Sequence, residues 1–170
     1  MLTKNFYSYM RAALQKVAAT FKLLDGTTRS LTLEDEQSPL SIMYVWAKKV
    51  GIAGVSFGTG TTPATVSDYA LESILGSTQI SAAAPSDVSF SRGDTYDEYS
   101  VTFGITNITT EAITISEVGL TARPAHFSGN PGYNYCALVD RTVLDVPVTI
   151  PAGQSKQITY TIRFNYGDAV

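Results

Sequence analysis

Histidine, cysteine and charged residues are scarce in this chain of 170 residues. It has one His (His126), one Cys (Cys136) and 16% charged residues, whereas a typical soluble domain has roughly 25%. One His and one Cys exclude a zinc finger, a Cys/His cluster and an intramolecular disulfide. A net charge of −3 with scattered Lys and Arg provides no basic surface for nucleic acid, so no nucleic-acid partner is predicted.

Long hydrophobic runs are also missing. The N-terminus has no apolar stretch after a basic region, so it does not match a secretion signal. The longest near-apolar stretch, residues 41–57, is interrupted by Lys48 and Lys49 and is too short to span a bilayer. We therefore predict no membrane partner and synthesis in a cytoplasm.

Hydroxyl side chains take the place of charges. The chain contains 21 Thr, 16 Ser and 10 Tyr, a composition that favours β-structure and turns over a helical bundle or a disordered chain. Its length fits one domain with a core large enough to need neither a disulfide nor a metal.

One amphipathic helix is predicted, over residues 5–21. Apolar side chains recur there at spacings of three and four, which places them on one stripe: Phe6, Met10, Leu14, Val17 and Phe21. Such a stripe packs either against its own domain or against a neighbouring subunit. Phe6, Met10, Leu14 and Val17 are therefore interface candidates.

The next segments predict short elements. A hairpin is expected across the turn Asp25-Gly26-Thr27, with strands at 21–24 and 29–33. Residues 34–36 are expected in a solvated loop, and residues 42–50 in a buried strand or a short helix, with the strand favoured. Residues 56–64 have loop composition, and Ser67 is a candidate N-cap for a short helix near 67–75.

Strand patterns dominate after Gly76. They lie at 78–82, 98–106, 113–121 (as the partner of 98–106), 133–139, 143–149 and 158–164, with turns at 107–111 and 151–153 and a long loop at 123–132. Repeated short alternating strands predict an antiparallel β-sandwich, Ig-like or jelly-roll-like. The predicted organisation is an N-terminal helical arm at 1–24 and a single sandwich domain at 25–170.

No motif predicts catalysis, a cofactor or a metal. Gly58 and Gly60 lack the Lys and the third Gly of phosphate-binding loops, and Asp94, Asp97 and Glu98 lack the order of a calcium loop. Arg92-Gly93-Asp94 matches an integrin-binding tripeptide, but ordinary turn chemistry explains it better. His126 lies in a Pro/Gly loop with no nucleophile elbow, Cys136 lies in an apolar strand, and no pair of carboxylates stands out. We predict a protein that is not an enzyme.

Two parts of the sequence resemble small β-sandwich virion proteins of tailed bacteriophages. Residues 57–71 (FGTGTTPATVSDYAL) are similar to a GTG-T-x-P-x-x-x-D-Y-x-L segment of those proteins. Residues 115–120 (ISEVGL), 138–155 (LVDRTVLDVPVTIPAGQS) and 158–162 (ITYTI) follow a second pattern, in which EVGL precedes an Arg-containing strand and P-x-x-V-P-A-G. The resemblance implies a virion component made in a bacterial host, whose partners are other virion proteins and copies of itself.

The leading functional hypothesis is a capsid decoration or accessory protein, and the second is a tail, neck or baseplate component. A fibre-like receptor binder ranks third among virion roles. The competing class is a carbohydrate-binding sandwich, in which Tyr96, Tyr99, Tyr133 and Tyr135 would stack on sugar rings. Because Tyr133 and Tyr135 share one strand face, they are interface candidates under either hypothesis.

Overall fold

The computed structural model describes residues 1–15, 17–31, 54–83, 85, 87–122 and 136–165. The prediction of a mainly β chain with antiparallel sheets and one N-terminal helix is confirmed for these residues. Their elements are α1 (Lys4–Gln15), β1 (Ala19–Lys22), β2 (Thr28–Leu31), β3 (Val55–Gly58), β4 (Ile80–Ala82), β5 (Asp87–Arg92), β6 (Tyr96–Asn107), β7 (Ile113–Ala122), β8 (Ala137–Ile150) and β9 (Ser155–Asn165).

The chain divides into two compact units. The first comprises Met1–Leu75 and Thr114–Pro147, and the second comprises Gly76–Ile113 and Val148–Val170. The division into an arm at 1–24 and one domain at 25–170 stays a prediction. Several predicted segments lie outside the described residues: the loop at 34–36, the strand at 42–50, the loop at 123–132 with His126, and the strand positions Tyr133 and Tyr135.

Helix α1 is shorter than predicted and buries a different face. It ends at Gln15, so Val17 lies beyond it, and Phe21 belongs to β1. The buried positions are Asn5, Tyr9 and Ala12, whose spacing of four and three defines one face. The apolar spacing of three and four continues to Phe21, but the chain is a strand from Ala19 onward. The last residues of the predicted stripe therefore do not lie on the helix.

Asn5 fastens α1 to β1. Its side-chain amide donates to the Lys22 carbonyl at 2.7 Å and accepts from the Lys22 N–H at 2.9 Å. The predicted hairpin is confirmed, since β1 pairs antiparallel with β2. Its turn needs the left-handed backbone of Gly26 at φ 81°, and the Asp25 carboxylate accepts the Thr27 N–H at 2.8 Å.

A three-stranded sheet in the order β3-β7-β8 forms the centre of the first unit. The predicted loop at 56–64 is wrong at its start, because residues 56–58 belong to β3 and pair with β7. The predicted break at 140–142 is also wrong, because β8 is one continuous strand of 14 residues. Asp140 and Arg141 fall in the gap between the two predicted strands, yet both are buried inside β8.

The sheet of the second unit is built around β6. One edge of β6 pairs with β9 from Tyr96↔Asn165 to Thr106↔Ser155, and its other edge pairs with β5 and β4. The predicted alternation is confirmed: the buried apolar side chains of β6 and β9 are Val101, Phe103, Ile105, Ile158, Tyr160 and Ile162. The turn at 151–153 is also confirmed, with Gly153 at φ 69°.

The predicted pairing of β7 with β6 is wrong. Near Asn107, both edges of β6 are occupied: Asn107 pairs with Ile80 of β4, while its N–H donates to the Gln154 carbonyl and its carbonyl accepts from Gly153. The turn at 107–111 exists, and its Thr109 N–H donates to the Asn107 side chain at 2.9 Å. Because β6 has no open edge there, β7 pairs in the other sheet.

Candidate functional site: a buried ion cluster

A buried guanidinium connects three carboxylates in the first unit. Arg141 of β8 donates from Nε to Glu117 of β7 at 2.8 Å and from Nη1 to Asp68 at 2.8 Å. A longer contact of 3.4 Å joins Nη2 to Glu72. The side chains of Arg141 and Glu117 are 4% and 0% exposed, so each charge depends on these partners for the solvation that water would otherwise supply.

The Glu117 carboxylate also holds the backbone of a distant segment. It accepts the N–H of Gly60 at 3.1 Å, of Glu72 at 3.1 Å and of Ser73 at 2.8 Å. In a helix, the N–H groups of residues 72 and 73 would instead donate to carbonyls four residues earlier. The predicted helix near 67–75 is therefore wrong: this segment consists of turns and bends, and the buried carboxylate takes its donors.

Asp68 and Glu72 fasten the same segment from within. The Asp68 carboxylate accepts the N–H and the hydroxyl of Thr65 at 3.0 and 2.7 Å. The Glu72 carboxylate accepts the N–H and the hydroxyl of Thr62 at 2.9 and 2.8 Å. Together with Glu117, these contacts tie residues 58–73 into one segment, which we call the glycine loop.

These contacts shift the proton affinities of the charged groups. Burial alone would raise the pKa of Asp68, but hydrogen bonds from Thr65 and Arg141 outweigh it and lower that pKa. The hydrogen bonds from Thr62 lower the pKa of Glu72. Burial alone would lower the pKa of Arg141, yet its bonds to Asp68 and Glu117 raise it. These shifts favour the charged forms of all three groups.

Three glycines permit this packing because a side chain has no room at their positions. A Cβ at Gly58 would lie 2.4 Å from Glu117 Oε1, and one at Gly60 would lie 2.5 Å from Glu72 Cβ. At Gly119 it would lie 2.8 Å from Leu71 Cδ2. The two glycines of the predicted loop thus serve close packing against carboxylates, a role opposite to phosphate binding.

A cleft of about 460 Å³ opens beside the cluster. It is lined by Thr62, Ser67, Asp68, Tyr69, Ala70, Leu71, Glu72 and Arg141. The Lys22 ammonium lies 3.9 Å from the centre of the Tyr69 ring, a distance at which a cation–π attraction operates. The ion cluster beside this cleft therefore pairs its carboxylates with the Arg141 guanidinium and with backbone N–H groups.

The other motifs of the sequence lie apart from this cluster. Arg92 is paired with Asp97 at 2.8 Å across β5 and β6, so the Arg-Gly-Asp tripeptide forms a strand end and its turn. Glu98 is paired with Arg163 at 2.6 Å. Asn107 is fully buried, and its amide donates to the carbonyls of Glu111 and Ile150. Cys136 is a buried free thiol.

The candidate sugar-stacking tyrosines do not form one platform in the described part of the chain. Tyr96 and Tyr99 are three residues apart in β6, so they face opposite sides of the sheet. The Tyr96 ring also has the Arg163 guanidinium 4.3 Å from its centre. Tyr133 and Tyr135 lie outside the described residues.

The candidate interface residues of the helix have unequal exposure. Leu14 and Val17 are 74% and 40% exposed, whereas Phe6 and Met10 are half-buried. Their role in an interface stays a prediction. Among the described residues, no group of three or more His, Cys, Asp and Glu side chains could hold a metal. No described helix combines the length and the apolar character needed to cross a membrane.

The sequence analysis did not identify the ion cluster. A signal was present, because Glu117 and Arg141 stand close to apolar residues in the strand-rich part of the sequence, and a charge at a buried strand position requires a partner. Comparisons with protein families, with curated proteins and with solved structures gave no significant match.

Proposed function

We propose that this protein is a structural component of a tailed-phage virion, held in place by protein–protein contacts. Its leading role is that of a capsid decoration or accessory protein, and a tail, neck or baseplate component is the second. The observation that carries the proposal is that the ion cluster joins the two parts of the sequence that resemble phage proteins. Asp68 comes from one segment that resembles phage proteins, and Glu117 and Arg141 come from the other.

The geometry of the cluster supports a structural role for those segments. Its carboxylates accept hydrogen bonds from backbone N–H groups, Thr hydroxyls and one guanidinium. Through these hydrogen bonds the groups hold the glycine loop on the sheet. A resemblance concentrated on such packing residues fits proteins that share an architecture, and we therefore retain the prediction that this protein is not an enzyme.

The second unit has a sheet face that is suited to contact with other proteins. Three cross-strand hydroxyl pairs line one face of β6 and β9: Ser100–Thr161 at 2.8 Å, Thr102–Thr159 at 2.9 Å and Thr106–Ser155 at 2.7 Å. Hydroxyls lose less free energy than charges when water is removed, so such a face is suited to close packing. The opposite face carries the buried apolar residues, an alternation that supports an antiparallel β-sandwich, Ig-like or jelly-roll-like.

The test is binding of the purified chain to phage particles. Labelled protein is mixed with separated heads and tails of the phage that encodes it, and co-sedimentation is measured. Saturable binding to heads supports decoration, and binding to tails supports the second role. Binding to neither particle, together with its absence from purified virions by mass spectrometry, would refute the proposal.

A further inference from the structure

The outward face of α1 carries apolar and basic side chains. Tyr7 and Leu14 are 57% and 74% exposed, and Lys4 and Arg11 are exposed as well. Positions 7, 11 and 14 are spaced by four and three, so they share one face of the helix. This face is opposite to the one that Asn5, Tyr9 and Ala12 bury.

The basic charge of this face is not neutralised within the described residues. Helix α1 contains no acidic residue, and neither Lys4 nor Arg11 has a carboxylate partner in the described part of the chain. Arg11 donates to the neutral Gln15 side chain at 3.2 Å. Residues 1–31 carry five Lys and Arg against one Asp, whereas the rest of the chain carries seven against fourteen acidic residues.

A surface of complementary character lies on β8 in the same unit. Val146 is 79% exposed, which makes it the most exposed large hydrophobic residue of the described chain, with Leu14 second. Asp145 beside it is exposed too. Strand β8 is the end strand of the order β3-β7-β8. Leu2 pairs with its outer edge at Asp140, and the edge continues past that bridge to Asp145 and Val146. Covering such an edge with a helix is a common way to protect it. Leu14 and Val146 do not cover one another within a single chain, because both remain exposed.

We propose that the outward face of α1 docks on the Asp145–Val146 stretch of a second copy of this chain. Successive side chains of a strand point to opposite sides of the sheet, so the helix lies along the edge of β8: Leu14 packs on Val146 on one side, and the long Arg11 side chain reaches across the edge to Asp145. The two surfaces differ, so the contact is head-to-tail and can be repeated from copy to copy. This inference deepens the proposed function and rests on it, because a virion component present in many copies has neighbouring copies that such a contact would join.

The size of the surface sets the expected strength. A helix of 12 residues is about 18 Å long, so it covers much less than the about 800 Å² per partner of a stable interface. The contact is therefore weak between free copies, with a dissociation constant on the order of 100 µM. It becomes effective when a particle holds neighbouring copies close together.

Sedimentation equilibrium over a concentration series tests this contact. The average mass of the wild-type protein should rise with concentration in about 50 mM salt, and less steeply in about 500 mM salt. Arg11→Asp and Asp145→Arg should each weaken association at least about fivefold. Combining both substitutions should restore it. Lys156→Glu is the matched control: it reverses an exposed charge of the second unit and should leave association unchanged.

Three results would each overturn the proposal: a constant monomer mass up to about 500 µM, well above the expected dissociation constant, single variants that associate like the wild type, or a double variant that stays as weak as the single ones. Circular dichroism of each variant verifies folding, which we expect to be retained because Arg11 and Asp145 are exposed. A failure here rejects this contact alone, since particle binding is measured separately.

Discussion

Glu117→Gln is the substitution that most directly tests the role of the buried ion cluster. It keeps the volume of the side chain and removes its charge. The carboxylate accepts four donors: the N–H groups of Gly60, Glu72 and Ser73, and Arg141 Nε. An amide offers one acceptor oxygen in place of two, and its NH₂ group would face donors.

The magnitude follows from those four hydrogen bonds. An amide oxygen can keep about two of them, and a hydrogen bond to a charged group contributes about 1.5–3 kcal/mol. Losing two predicts a destabilisation of about 3–6 kcal/mol. Breaking a buried ion pair by removing one partner costs about 3–5 kcal/mol, which agrees. We expect the free energy of unfolding to fall by about 4 kcal/mol, and Tm by roughly 10 °C for a chain of this size.

Urea unfolding and amide hydrogen exchange provide the assays. In the variant the urea midpoint should fall relative to the wild type. Hydrogen exchange should accelerate at the amides of Gly60, Glu72 and Ser73 more than at the amides of β6. Glu98→Gln is the matched control, because it makes the same chemical change in a partly exposed pair with Arg163 and should change the midpoint little. A loss below about 1 kcal/mol, as for exposed pairs, with unchanged exchange at the three amides would refute the reasoning.

Three further outcomes are expected from the geometry. Gly58→Ala should destabilise the protein by about 2 kcal/mol through overpacking, whereas Gly76→Ala, where a Cβ meets nothing closer than 4.0 Å, should not; equal urea midpoints would contradict this. Because the pKa of Asp68 is lowered, its stabilising contribution is present at neutral pH and is lost as the pH falls from its ordinary value of 3.8 through the lowered pKa. Asp68→Asn should therefore flatten the acid side of the stability profile, measured as urea midpoint against pH, and an unchanged slope would contradict it. A double-mutant cycle of Thr102→Val and Thr159→Val should give a coupling free energy of about 0.2–1 kcal/mol, and zero coupling would show that the hydroxyl pair contributes nothing.

Local patterns predicted much of the second unit. The alternation along β6 and β9 placed Val101, Phe103 and Ile158 on the buried face, because strand side chains alternate with a period of two wherever the backbone goes. The turns around Gly26 and Gly153 were predicted for a similar reason, since glycine alone tolerates their positive φ without strain.

In the first unit, several predictions from local patterns are wrong because contacts between residues far apart in the sequence determine the structure. The single strand β8 and the turns at 67–75 depend on partners far away in the sequence. Residues 72 and 73 give their N–H groups to a carboxylate more than 40 residues away, and no local propensity encodes that competition. The ion cluster could have been suspected from Glu117 and Arg141, which are charged residues in the middle of strands.

Composition and spacing alone predict that this protein is mainly β and has a helix among its first 21 residues, and they exclude a zinc finger because there is one Cys and one His. Composition and short-range periodicity carry that information, because they act within a few residues of the backbone. Which strands pair, and why Glu117 and Arg141 are buried, follow from contacts between residues far apart in the sequence. The free energy of a buried charge depends on partners that the fold brings together, and the partners of Arg141 lie 24 and 73 residues away from it in the sequence.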